Sequence, residues 1–150
     1  MIRITKNADY AIVLLAQIAR GHDGALHSAR ELSEQTHIPL PTVSKLLKAL
    51  AHGELLNSHR GIKGGYHLAR EAREISIAEI ISAVEGPIEI TECVSHEGHC
   101  EQEPYCGVSG NWQKINRVIY GALQNMPLTE MIRESSNSFV EILSPSAPAH

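Results

Sequence analysis

Three cysteines, Cys93, Cys100 and Cys106, stand within fourteen residues of this 150-residue chain at the spacing Cys-x6-Cys-x5-Cys. Three soft thiolates in one polar segment, CVSHEGHCEQEPYCG, suit zinc or an iron-sulfur cluster. Structural zinc sites usually take two ligands from a tight C-x2-4-C knuckle, which this segment lacks; its longer intervals match the wider reach of a cluster. An odd, clustered set does not make a disulfide framework and reads as thiols kept reduced in the cytosol. Nor does a polar loop with Glu97, Gly98 and Gly107 offer a core in which three unrelated cysteines would be buried. Three thiolates leave one position to fill. His96, Glu97, His99 and Glu101 are local candidates, and Asp9 is a distant one. Taken alone, Asp9 reads first as a carboxylate favoured by the dipole of a helix start. His96 and His99 beside Cys100 also evoke a Cys-His pair, but no phosphate loop, nucleophile elbow or orienting acid accompanies them, so no enzyme is expected.

A second chemistry lies upstream. The whole chain carries a net charge of −4 with a pI near 6.1, which on its face disfavours a polyanionic partner. The charge is unevenly spread. Residues 1–73 hold ten Lys/Arg against six Asp/Glu, and the remainder three against eleven, so the halves stand at +4 and −8. The basic half contains Thr42, Ser44, Lys45 and Lys48 on one face of a short segment, then His59, Arg60 and Lys63 among glycines. A helix that enters a major groove is slim and carries donors on its outer face, as the first set would. Arg60 suits a minor groove or a phosphate.

The elements that would position these residues follow from periodicity and capping. Apolar residues at three- and four-residue spacing from Lys6 to Arg20 predict a first helix, with Gly21 as a left-handed cap. Ser28 and Glu31 form a capping-box pair before a short helix over 29–35. Pro41 suits the first turn of a third helix, which runs to Gly53 with Val43, Leu46, Leu47 and Leu50 inward. Leu55–His59 and Tyr66–Ala69 would pair around a glycine-rich turn. Ile75–Val84 adds a helix capped by Ser76 and Glu79. Val108, Trp112, Ile115, Ile119, Ala122 and Met126, spaced 4, 3, 4, 3 and 4, predict one stripe on a long helix. Such a stripe needs a partner: the helix could pack on its own domain, or a symmetric dimer seam, the preferred reading, would cover it and place Trp112, Ile115, Ile119, Ala122 and Met126 at the interface. The expected fold is mainly α: a winged helix-turn-helix domain with a small β-hairpin wing, plus a long C-terminal dimerisation helix. Residues 1–86 would form the DNA-binding domain, 87–107 the cluster loop, 108–134 the dimerisation helix and a short following helix, and 135–150 a disordered tail. The longest apolar run, Ala11–Ala16, is too short to span a bilayer and the N-terminus lacks a signal core, so a cytoplasmic protein without membrane contact is expected.

Ile4-Thr5, Asp9-Tyr10-Ala11, His59-Arg60-Gly61, Gly64-Gly65-Tyr66 and the cysteine loop together resemble the bacterial winged-helix regulators that include IscR and NsrR. Leu40–Lys48, Gly86-Pro87-Ile88, Thr91-Glu92-Cys93 and Gly110-Asn111-Trp112 are similar to the branch that regulates SUF-type iron-sulfur assembly genes. The resemblance covers roughly residues 1–134. It implies a homodimer crossed by the long helix, one iron-sulfur cluster per subunit on Cys93, Cys100 and Cys106, and operator affinity on double-stranded DNA set by cluster state. IscR-like members complete the site with a histidine at the position of Ser109; NsrR-like members use a first-helix aspartate from the partner subunit, at the position of Asp9. Asp9 is therefore the preferred fourth ligand, followed by His99 and His96. The first cysteine interval is one residue longer than in IscR-like proteins, leaving both 2Fe-2S and 4Fe-4S open. Ser44 replaces an acidic residue of IscR-like reading helices, so operator preference need not transfer. An iron-sulfur carrier or scaffold using the winged helix for protein contacts is the rival reading. The basic face from Thr42 to Lys63 counts against it.

Overall fold

A computed structural model of the chain describes residues 3–22, 24–91, 94, 100–101 and 105–133. Helix α1, Lys6–Arg20, starts where Thr5 accepts the Ala8 amide at 3.1 Å and donates its hydroxyl to Glu85 at 2.6 Å. It is the central element, packing against α3 (Leu40–His52), α4 (Ile77–Glu85) and α6 (Leu128–Ile132). Gly21 ends α1 in extended backbone (φ −67°), not as the expected left-handed cap. Its role is clearance: a Cβ there would lie 2.6 Å from Nε2 of the buried His27.

Helix α2, Ala29–Thr36, is capped by Ser28, whose hydroxyl accepts the Glu31 amide at 3.1 Å. Only this half of the expected capping box forms. Glu31 turns its carboxylate to His27 Nδ1 and Gln35 Nε2, both at 3.2 Å, rather than back to the cap. His37 then takes the left-handed conformation (φ 57°), and Ile38 drops into the core before α3 begins. Strands β1 (Leu56–His59) and β2 (Gly65–Leu68) pair antiparallel with His59 opposite Gly65 and Leu56 opposite Leu68. His27 adds a bridge to Tyr66 through two backbone hydrogen bonds of 2.9 Å, fastening the hairpin to the α1–α2 turn.

Helix α4 follows a 3-10 turn, Ala72–Glu74, and carries a complete capping box. Ser76 Oγ accepts the Glu79 amide, and Glu79 accepts the Ser76 amide at 2.8 Å. Burial pushes the Glu79 carboxyl up, but the Ser76 amide, Arg70 and the Ser76 hydroxyl push it down further, so the net direction is down. A carboxylate with a lowered folded pKa stabilises above its unfolded value, and that contribution is lost as pH falls through the folded value. Glu79→Gln is therefore expected to cost about 0.2–1 kcal/mol near neutrality, the range for a partly exposed pair. The gap in thermal midpoint from wild type should close as melting is repeated below the ordinary carboxylate value of 4.5.

Helix α5 runs from Ser109 to Gln124 with Val108 as its cap. The expected stripe is therefore shorter at both ends, because Asn125 closes the helix and the backbone changes direction there. Met126 lies beyond α5 and packs on the core of its own chain. The segment after it pairs with the approach to α4: Ile77 N–H donates to Met126 O at 2.9 Å and Leu128 N–H to Ile75 O at 2.8 Å. Leu128 is fully buried among α1 residues and Ile75, so the chain returns to the winged-helix core after α5.

Candidate nucleic-acid interface and metal centre

Helices α2 and α3 make a helix-turn-helix unit whose turn is held by Ser33 Oγ donating to Ile38 O at 2.7 Å and Thr36 Oγ1 to Leu32 O at 2.6 Å. Val43, Leu46, Leu47 and Leu50 are fully buried, which fixes the rotation of α3 about its axis. Lys45 and Lys48 are consequently exposed, and Thr42 and Ser44 are half-buried beside them. Pro39 at the cap offers no side chain to the first-turn amides of α3, leaving that end of the helix dipole open to an anion.

The wing presents His59, Arg60 and Lys63, all exposed. Gly64 closes the turn with its N–H on Gly61 O at 3.0 Å, and a Cβ at Gly64 would lie 2.4 Å from His59 O, so only glycine permits this closure. His59 stacks on His67 across the hairpin at a centroid distance of 5.1 Å. Sequence reasoning missed His67, whose partner is set by strand register and not by any local motif. Arg70, Arg73 and Arg133 each pair with a glutamate, whereas Lys45, Lys48, Arg60 and Lys63, like Arg3, Lys6, Arg20, Arg30, Lys114 and Arg117, have no carboxylate partner among the described residues; what distinguishes the first four is their place on α3 and the wing. The cations assigned to the reading surface are thus not neutralised within the described chain.

The second site is in part outside the described residues: Cys93, His96, Glu97 and His99 all lie there. Cys100 and Cys106 are free thiols, each half-buried, with the exposed Glu101 next to the first. Asp9 is exposed in the first turn of α1, where the helix dipole favours it, and its carboxylate has no hydrogen bond or ion pair among the described residues. No three His, Cys, Asp or Glu side chains converge among the described residues. Two unbridged thiols in a segment with little core suit thiolate ligation by an iron-sulfur cluster in donor chemistry. The approach to this loop is clamped to α5. Asn116 donates Nδ2 to Ile88 O at 3.1 Å and accepts the Ile90 amide on Oδ1 at 3.2 Å. A hollow of about 520 Å³ beneath it is lined by Pro87, Ile88, Val94 and Tyr120 among others. Asn116 carries no sequence signal, since a polar residue on an amphipathic helix ordinarily faces solvent.

Four apolar side chains of α5 are left largely uncovered: Trp112, Ile115, Val118 and Tyr120 are 39%, 44%, 72% and 44% exposed. Ala122 is also exposed and Ile119 is half-buried; no residue of α5 is fully buried. No described helix is long and apolar enough to cross a membrane.

The sequence profile of the Rrf2 family, described as an iron-dependent transcriptional regulator, matches residues 4–134. The chain is 30% identical over 148 residues to an HTH-type transcriptional regulator of Haemophilus influenzae, covering 95% of this chain and 98% of that relative. It is 28% identical over 149 residues to the HTH-type transcriptional regulator IscR of Klebsiella pneumoniae, covering 99% and 88%. The solved structure of CymR, the global cysteine regulator of B. subtilis, superposes with a TM-score of 0.68 over 88% of this chain and 97% of that one, at 23% identity. That likeness establishes the winged-helix fold.

Proposed function

Because the chain belongs to the Rrf2 family of iron-dependent transcriptional regulators, DNA-binding proteins and not enzymes, we propose that it acts as a homodimer whose operator affinity is set by an iron-sulfur cluster, on SUF-type iron-sulfur assembly genes. The observation that carries the DNA reading is the set of uncompensated exposed cations on α3 and the wing. Lys45 and Lys48 contact phosphate along the major groove, Thr42 and Ser44 face base edges, and His59, Arg60 and Lys63 hold the adjacent backbone or minor groove. The division of labour follows the chain: residues 1–86 read DNA, 87–107 hold the cluster, and α5 joins two subunits through Trp112, Ile115, Ile119 and Ala122. Met126, beyond the end of α5, packs on the core of its own chain.

Cys93, Cys100 and Cys106 would hold the cluster, with Asp9 supplied across the dimer. Bound there, a 2Fe-2S or 4Fe-4S group supplies a redox-responsive tie among the thiolates. The chain's own residues carry the consequence. Asn116 ties the loop approach to α5, and the Thr5–Glu85 hydrogen bond ties the start of α1, next to Asp9, to the end of α4 where that approach departs. A loop held or released at the cysteines thereby biases two arrangements of the reading heads.

The DNA reading is tested by binding to a duplex enriched from a random library, titrated against salt. Affinity is expected to fall steeply with salt, and Lys45→Ala or Lys48→Ala each to reduce the logarithmic slope by about 0.9. Slopes unchanged in both variants would remove these lysines from the phosphate interface.

A further inference from the structure

Ile62 is the most exposed apolar side chain described, at 107% of its reference area, so it touches nothing in its own chain. It sits at the tip of the wing between two exposed cations, Arg60 and Lys63. The tip is not a loose loop. Gly61 turns it with φ +125°, the Gly64 amide closes it on Gly61 O, and the His27–Tyr66 bridge fastens the hairpin at its side. A β-branched side chain is also stiff at χ1, so holding it in one place costs little further entropy. A stiff apolar probe on a rigid turn, flanked by cations that fix its height above phosphate, has the form of a minor-groove wedge.

We propose that Ile62 is a specificity-determining residue that enters the minor groove beyond the major-groove site of α3 and selects for A·T-rich, deformable steps. This rests on the DNA-binding reading of the wing. The chemistry is shape and apolar contact: the isoleucine presses on deoxyribose walls and the groove floor, where the guanine 2-amino group would obstruct it. Arg60 and Lys63 supply the attraction, and Ile62 supplies discrimination that charge alone cannot.

The test uses the full-length protein purified without oxygen and a duplex enriched from a random library by the wild type. Ile62→Ala and Ile62→Ser are compared with Arg60→Ala, each with its thermal midpoint; the side chain has no intrachain contact, so both Ile62 variants are expected to melt with wild type. The expected result is a loss of about three- to thirtyfold for the Ile62 variants with an unchanged salt slope. That loss should vanish when the flanking A·T pairs are replaced by G·C, and enrichment by Ile62→Ala should lose base preference at those flanks alone. Equal affinity and equal flanking preference in Ile62→Ala and wild type would overturn the proposal, as would a loss accompanied by the reduced salt slope expected of Arg60→Ala. If the wild type enriches no duplex, the DNA reading fails first and the wedge with it.

Discussion

Replacing Ile115 and Ile119 together by aspartate is expected to turn a dimer into a monomer and to weaken operator binding by about 10²–10⁴-fold. Helix α5 buries no residue completely within its own chain, and Trp112, Ile115, Val118 and Tyr120 together leave a large apolar surface facing outward. Trp112, Ile115 and Ile119, spaced three and four residues apart, share one face of the helix, and an exposed apolar face of this kind suits an interface. In the proposed dimer a second copy would cover it with the same stripe, because a two-fold contact presents one patch to itself. Two carboxylates placed in that seam would be desolvated without partners, which is strongly unfavourable. A monomer then binds DNA through one reading head and loses the gain that comes from linking two, which accounts for the size of the effect. Sedimentation equilibrium and operator binding on the same preparation check both halves. A double variant that stays dimeric would place the dimer seam elsewhere on the molecule.

Cys106→Ala is expected to abolish cluster absorbance while leaving the fold intact. Cys106 is half-buried just before α5, outside the core formed by α1, α3, α4 and α6, so its side chain contributes little to packing. In the proposed site, losing one thiolate of three removes a soft ligand that an alanine methyl group cannot replace. Anaerobic purification followed by absorption spectroscopy and native mass spectrometry reads the loss and, in the wild type, decides between 2Fe-2S and 4Fe-4S. Asp9→Ala in the same series should shift the spectrum or shorten cluster lifetime, since Asp9 is exposed and engaged by no other described residue. An unchanged spectrum and lifetime would reject it as a ligand and return the position to His99 or His96.

The reading head was legible from local signals. Ser28 and Ser76 at caps, the two prolines flanking Leu40, and the buried face of Val43, Leu46, Leu47 and Leu50 all act within a turn or two of themselves. Long-range partners were not legible. Glu31 leaves its expected cap because His27 and Gln35 compete for it, and His27 is placed by a bridge to Tyr66 nearly forty residues away. Met126 continues the helical period of α5 yet packs on the core, because Pro127 disfavours helical backbone at the residue before it and the segment pairs instead with Ile75 and Ile77. The spacing of the three cysteines raises the expectation of thiolate ligation, and only Cys100 and Cys106 of that set are among the described residues. The tie between the loop approach and α5 was not legible, since Asn116 looks like any polar residue on a helix until Ile88 and Ile90 are placed beside it.

In the proposed mechanism a cluster at Cys93, Cys100 and Cys106 controls affinity for DNA. Protein purified without oxygen should be titrated onto one wild-type-enriched duplex before and after chelation strips the cluster, at fixed salt and with dimer content verified. A difference of about 5- to 150-fold is expected, the span of ordinary allosteric coupling. Equal affinities for the two forms would show that the cluster does not control DNA binding.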